Sequence, residues 1–187
     1  MKPLFIHIPK AAGMVIQKIV ENLNEDMGPS NEVCLHKKVT RYRKSYRDRH
    51  YVFSFVRNPF DRLVSAYFFL KAGGIHRHDR RRGRKLANDF NTFVKEDLFS
   101  KPIKRILHFH PIVHWLDAEI DFIGRFENLQ QDFNIVCDKI GIPQQQLPHK
   151  NASKHKHYTE YYDDETKQLV AEKYKKDIEY FGYKFGE

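Results

Sequence analysis

Apolar residues in this chain fall into two kinds of pattern, and the two alternate. Leu4 to Ile8 is a short unbroken apolar run, the form taken by a strand buried in a parallel sheet. Pro9 ends it, and beyond Gly13 the apolar positions Ile16, Ile19, Val20 and Leu23 recur at helical spacing. The layout repeats from Tyr51 to Val56, an aromatic and β-branched run followed by Asn58-Pro59 and a helical stretch reaching about Lys71, where Gly73-Gly74 breaks it. Further strands are expected at 32–36 and at 122–126. Amphipathic helices are expected at 90–98 and at 127–140, the latter with Leu129, Phe133, Val136, Cys137 and Ile140 inward and Gly141 as its stop. A last helix, capped by Asp163 or Asp164, carries Leu169, Val170, Tyr174, Ile178 and Phe181. Strands alternating with helices predict an α/β fold with a central, mostly parallel sheet flanked by helices.

Composition narrows this without deciding it. A chain of 187 residues with 41% hydrophobic and 14% aromatic content buries a core as a single domain, 1–187, and is not a disordered segment. Its formal charge of +9 points to anionic partners, whether nucleotides, nucleic acid, an acidic surface or an acidic polysaccharide. Cys34 and Cys137 lack metal-ligand spacing and read as reduced thiols. The first strand begins within a few residues of Met1, and neither a signal peptide nor a membrane span is visible in the sequence as given. The expectation is a cytoplasmic protein.

The two strand-to-helix turns carry the chemistry. A turn that opens a helix presents unpaired N–H groups and the positive dipole end to an anion. Lys10 sits in the first turn, where its ammonium can neutralise such an anion; an ordinary connection with a surface lysine fits that stretch equally well. In the second, Arg57 ends a strand and Ser65 lies about two turns into the helix, so a guanidinium and a hydroxyl can converge on a second phosphate.

Pro9-Lys10-Ala11-Ala12-Gly13 after one strand and Arg57-Asn58-Pro59-Phe60-Asp61-Arg62-Leu63-Val64-Ser65-Ala66-Tyr67 after another resemble the sulfotransferases that use 3′-phosphoadenosine 5′-phosphosulfate. The similarity continues through 67–74, 121–129, 147–153 and 161–166 to the C-terminal 177–185, and points to the carbohydrate branch, of uronyl 2-O or chondroitin type. The resemblance implies a P-loop-like three-layer fold and one sulfotransferase domain. The co-substrate it implies is 3′-phosphoadenosine 5′-phosphosulfate, with adenosine 3′,5′-bisphosphate as product and no metal. It assigns Pro9, Lys10, Ala11, Ala12, Gly13, Met14 and Val15 to the 5′-phosphosulfate loop, Arg57 and Ser65 to the 3′-phosphate, and Ser153 and Lys154 to further donor contacts. Lys10 becomes the stabiliser of the leaving phosphate. His36 becomes the base, since imidazole titrates near neutrality. His108, His110 and Glu127 are the alternative bases. Related loops often read Thr-Gly-Gly-Thr-Ser after the lysine. Here Ala11-Ala12-Gly13-Met14-Val15 carries no hydroxyl and leaves donor binding to backbone N–H groups.

The acceptor is expected to be a carbohydrate hydroxyl on an acidic oligo- or polysaccharide, with His108, His110, Arg80, Arg81 and Arg82 as candidate contacts. Two cationic stretches, 37–49 and 76–85, read either as acceptor surface or as solvated charge; the second is expected to be a loop, and a nucleic-acid role for it is disfavoured. His108, His110 and His114 raise a metal site, but no carboxylate or cysteine accompanies them, and cleft lining or core packing suits them better. A P-loop kinase is disfavoured because GxxxxGK[ST] is absent. A noncatalytic nucleotide- or anion-binding module remains the other alternative.

Overall fold

A computed structural model of the protein describes residues 1–23, 36–148 and 156–187. Its elements run β1 (Lys2–Ile6), α1 (Gly13–Leu23), α2 (Lys44–Arg47), β2 (His50–Val56), α3 (Pro59–Lys71) and α4 (Arg77–Gly83). There follow α5 (Phe90–Thr92), α6 (Lys101–Lys104), β3 (Phe122–Arg125), α7 (Leu129–Ile140), α8 (Asp164–Lys173) and α9 (Lys175–Phe181). The chain falls into two compact units, Met1–Arg57 with Ile112–Lys150, and Asn58–Pro111 with Asn151–Glu187.

The first unit holds a parallel sheet of order β1-β2-β3, with Leu4 opposite Val52 and Ser54 opposite Ile123. The expected α/β class is what is observed. Strands buried on both faces need apolar residues throughout, and Leu4, Phe5, Ile6, Val52, Phe53, Phe55 and Val56 are all buried. The single buried hydroxyl of β2, Ser54, donates to the Ile6 carbonyl at 2.7 Å, which removes its desolvation cost. Asp121 fastens the start of β3 to β2: its carboxylate accepts from the Val52 amide at 2.7 Å, while its own amide donates to the Val52 carbonyl. Gly124 is needed because a Cβ there would enter the Phe55 ring. One side of β1 and β2 is covered by Val39, Tyr42, Tyr46 and Leu116. α7 ends at Gly141, left-handed at φ 77°, whose amide returns to the Cys137 carbonyl as the sequence predicts.

The second unit is built around α3. Asn58 accepts from the Phe60 amide as N-cap, and Pro59 follows at the first helical position. Around α3 lies an aromatic-rich core of Phe60, Tyr67, Phe90, Phe93, Phe109, Tyr158 and Tyr174. Three expectations are corrected in this unit. The cationic stretch 76–85 is not a loop but contains α4. Gly83 rests against the Leu70 carbonyl where any side chain would collide, and the buried Asp79 carboxylate accepts from the Ile75 and His76 amides. The helix expected over 90–98 is a turn of α-helix followed by a π-helical turn, Phe93–Asp97, although Phe90, Phe93, Val94 and Leu98 are buried as expected. The last helix is two helices meeting at Tyr174, whose hydroxyl is drawn to the Phe109 carbonyl at 3.0 Å. Asp163, of the two expected caps, accepts from the Thr166 amide at 2.7 Å. The strand expected at 32–36 lies outside the described residues except for His36, which is in coil. Among the described residues no helix is long and apolar enough to cross a membrane.

Candidate functional site

The turn after β1 is shaped by its backbone. Lys10 and Ala12 both have left-handed conformations, φ 69° and φ 59°, an arrangement that costs an L-residue about 1–2 kcal/mol. Two such residues flanking Ala11 are not needed merely to join a strand to a helix. Alternating backbone handedness gathers successive N–H groups into a concavity for an anion, here at the entrance of α1. Pro9, Ala11 and Gly13 are buried, Lys10, Ala12 and Val15 are half-buried, and Met14 is 49% exposed.

Gly13 has a second role, independent of its φ. The His7 imidazole lies against it so closely that a Cβ would overlap the ring. His7 in turn receives His36: the His36 Nδ1 lies 2.9 Å from the His7 carbonyl oxygen, and the two rings meet edge to face at 4.5 Å. A carbonyl only accepts, so Nδ1 carries the proton, and in the neutral ring Nε2 carries the lone pair. The segment behind His36 is fixed. The Val39 amide donates to the Trp115 carbonyl at 3.0 Å, and Thr40 donates to Asp117 through its amide and, at 2.7 Å, its hydroxyl. Burial pushes the Asp117 carboxyl up, but the Thr40 bonds and nearby Lys38 outweigh it and hold the group below its ordinary value. Trp115, itself buried, contributes a ring 5.8 Å from His36.

Arg57 leaves the end of β2 and reaches the same turn. Its Nη1 donates to the Lys10 carbonyl at 3.2 Å, and its guanidinium lies 4.0 Å from the centre of the Phe126 ring. The face of an aromatic ring attracts a cation and restrains its orientation without consuming its in-plane N–H donors. Lys10, His36 and Arg57 are thus linked through the Lys10 turn and the His7 carbonyl, all within the first unit. His7, Trp115 and Phe126 were not singled out from the sequence. Phe126 follows directly on the β3 run, and that was the available signal.

The remaining expected residues lie elsewhere. Ser65 is in the second unit, on α3, 1% exposed, and its hydroxyl makes no hydrogen bond to a described residue. Arg62, in the same motif, is fully buried and was not anticipated. It donates to the carbonyls of His108 at 3.3 Å and His110 at 2.6 Å, beside the Tyr174 ring. The backbone of the histidine-rich segment is therefore held by Arg62, and the His108 ring packs on Phe69 at 5.3 Å. Arg81 and Arg82 line a cationic pocket of the second unit, whereas Arg80 extends toward Gly73. Glu127 is exposed. Ser153 and Lys154 lie outside the described residues, as does Cys34. Among the described residues no group of three or more His, Cys, Asp or Glu side chains is placed to hold a metal.

The chain is 30% identical over 105 residues to an uncharacterized protein of Archaeoglobus fulgidus, a match covering 56% of this chain and 79% of that one. It is 32% identical over 120 residues to carbohydrate sulfotransferase 14 of Danio rerio and 31% identical over 117 residues to the Homo sapiens protein of that name. These two matches cover 53% and 52% of this chain but only 32% and 31% of the relatives. They speak for similarity to carbohydrate sulfotransferases and not for the uronyl 2-O branch in particular. No solved structure gives a significant match. Residues 2–184, nearly the whole chain, match the sulfotransferase family, and the chain belongs to that family.

Proposed function

We propose that the protein moves a sulfuryl group from 3′-phosphoadenosine 5′-phosphosulfate to a carbohydrate hydroxyl, on an acidic oligo- or polysaccharide. Family membership implies the donor. The observation that carries the reading to particular residues is the hydrogen bond from Arg57 to the carbonyl of the left-handed Lys10. It joins a backbone anion cradle to a cation held on an aromatic face, as a nucleotide with two separate anionic ends requires.

In this reading the acceptor oxygen forms a bond to sulfur as the bond from sulfur to the 5′-phosphate oxygen breaks. Charge accumulates on the departing phosphate, where the Lys10 ammonium and the N–H groups of 11–15 oppose it. Sulfuryl transfer is close to phosphoryl transfer in its demands, so positioning and charge stabilisation supply most of the catalysis. His36 Nε2 takes the acceptor proton, its tautomer set by the bond from Nδ1 to the His7 carbonyl. Arg57 takes the 3′-phosphate, with Ser65 as the proposed hydroxyl partner and Ser153 and Lys154 as proposed donor contacts.

Thermal stabilisation tests the donor half. Adenosine 3′,5′-bisphosphate should raise the melting temperature more than ATP with Mg²⁺ or a single-stranded oligonucleotide does at equal concentration. A response to ATP–Mg²⁺ alone would replace the reading with a kinase-like one. His36→Ala tests the base: turnover should fall while bisphosphate affinity stays level. Unchanged turnover would pass the role to His108, His110 or Glu127.

A further inference from the structure

α4 carries an unusual pattern. His78, Arg81 and Arg82 stand at i, i+3 and i+4 on one face of α4, and Lys85, in the turn just past its end, continues the spacing at i+7. In a solvated helix such a stripe mixes charge signs, because like charges at i, i+4 repel. Here the stripe is wholly basic, and it faces a concavity. His78, Arg81, Arg82 and Lys85 line a pocket of about 270 Å³ with Pro102, Ile103, Arg105 and Ile106 of the α6 segment. Ile103 and Ile106 are buried members of the core, so the pocket has a fixed aliphatic floor under a basic wall.

Little among the described residues answers this charge. Arg82 reaches Asp79 at 3.7 Å, and that carboxylate is already engaged with the Ile75 and His76 amides. Among the described residues no carboxylate pairs with Arg81, Lys85 or Arg105. The geometry points to an anion subsite that takes the carboxylate or sulfate group of an acidic sugar residue in the acceptor chain. This rests on the sulfotransferase reading above, and it gives that reading a specific place where acidity is recognised.

Three features select this occupant. The volume falls just below the roughly 300–1,000 Å³ typical of pockets that enclose drug-sized ligands, and suits one charged sugar residue better than a nucleotide. Among the described residues the lining contains no Phe, Tyr or Trp, whereas single-stranded nucleic acid is held by stacking its bases on aromatic side chains. Arginines predominate among the cations, and their planar forks match carboxylate and sulfate oxygens in pairs.

The test is binding rather than turnover. A fluorescein-labelled chondroitin sulfate hexasaccharide is titrated, at physiological ionic strength, with wild type, with R81Q/R105Q and with R77Q/R84Q. The last pair removes the same charge from exposed positions outside the pocket. The hexasaccharide should bind R81Q/R105Q weaker by about tenfold or more and R77Q/R84Q weaker by less than about threefold. Labelled maltohexaose, which is neutral, should bind all three forms alike and weakly. Equal losses in the two double variants would overturn the subsite in favour of diffuse charge, and no loss in R81Q/R105Q would remove it outright. An oligonucleotide that binds as tightly, with the same dependence on Arg81 and Arg105, would replace it with a nucleic-acid site. Adenosine 3′,5′-bisphosphate affinity, followed in parallel, separates the two levels. A wild type that fails to bind it refutes the donor reading, whereas normal bisphosphate binding beside an indifferent pocket refutes only the subsite.

Discussion

The turn at Lys10 and the strand end at Arg57 serve the same nucleotide in our reading, yet they are built by opposite means. The first is a backbone device: two left-handed residues, a glycine closed against His7, and side chains that are mostly aliphatic. The second is a side-chain device: one guanidinium, braced by the Phe126 ring and the Lys10 carbonyl. A backbone cradle survives changes in its side chains, so a turn that carries Ala11, Met14 and Val15 needs no side-chain hydroxyl to keep its form. A guanidinium site has no such tolerance, because the donor groups are the side chain itself. The two regions should therefore respond differently to substitution.

The largest effect is expected where the cradle does depend on a side chain. Lys10→Ala should lower the rate of transfer by about 10²–10³-fold, the usual loss when one charge-stabilising donor is removed, with the fold unchanged by circular dichroism. A near-normal rate would leave the cradle wholly to its backbone. Next comes Arg57→Ala. Losing a charge-assisted contact should weaken adenosine 3′,5′-bisphosphate binding by about 1.5–3 kcal/mol, while adenosine 5′-phosphate is much less affected. Calorimetric titration measures both, and equal losses would dissolve the distinction between the two sites. Phe126→Leu should mimic Arg57→Ala in kind but not in size, at about 0.5–1 kcal/mol, since it frees the guanidinium without removing it. Smallest is Ala12→Gly. Glycine accepts φ 59° without steric cost but loses more chain entropy on folding, so stability should change by less than about 1 kcal/mol with bisphosphate affinity retained. A large loss of affinity would mean that the Ala12 side chain, and not the turn's conformation, matters.

The same division governs what could be read from sequence. Strands β1, β2 and β3, the helix boundaries at Asn58-Pro59 and Gly141, and the Asp163 cap were legible, because each follows from local pattern or from one residue's backbone preference. α4 was not, since a run of arginines gives no apolar periodicity. It is held by the close approach of Gly83 to Leu70 and by Asp79 capping, both tertiary facts. Arg62 was passed over because charged residues are ordinarily solvated, and its partners are backbone carbonyls 46 and 48 residues away. Lys10 and Arg57 were singled out from residue type and position, but the hydrogen bond that joins them could not be anticipated. His36 was reached through family resemblance; the His7 carbonyl that sets its tautomer has no sequence signature at all.

The central claim is transfer, and transfer is what should be measured: radiolabelled sulfate passing from 3′-phosphoadenosine 5′-[³⁵S]phosphosulfate to a panel of acidic and neutral glycans, with wild type and Lys10→Ala side by side. The account predicts label on an acidic glycan, abolished or nearly so by Lys10→Ala. An inert wild type that nonetheless binds adenosine 3′,5′-bisphosphate would contradict it and leave a nucleotide-binding module in place of an enzyme.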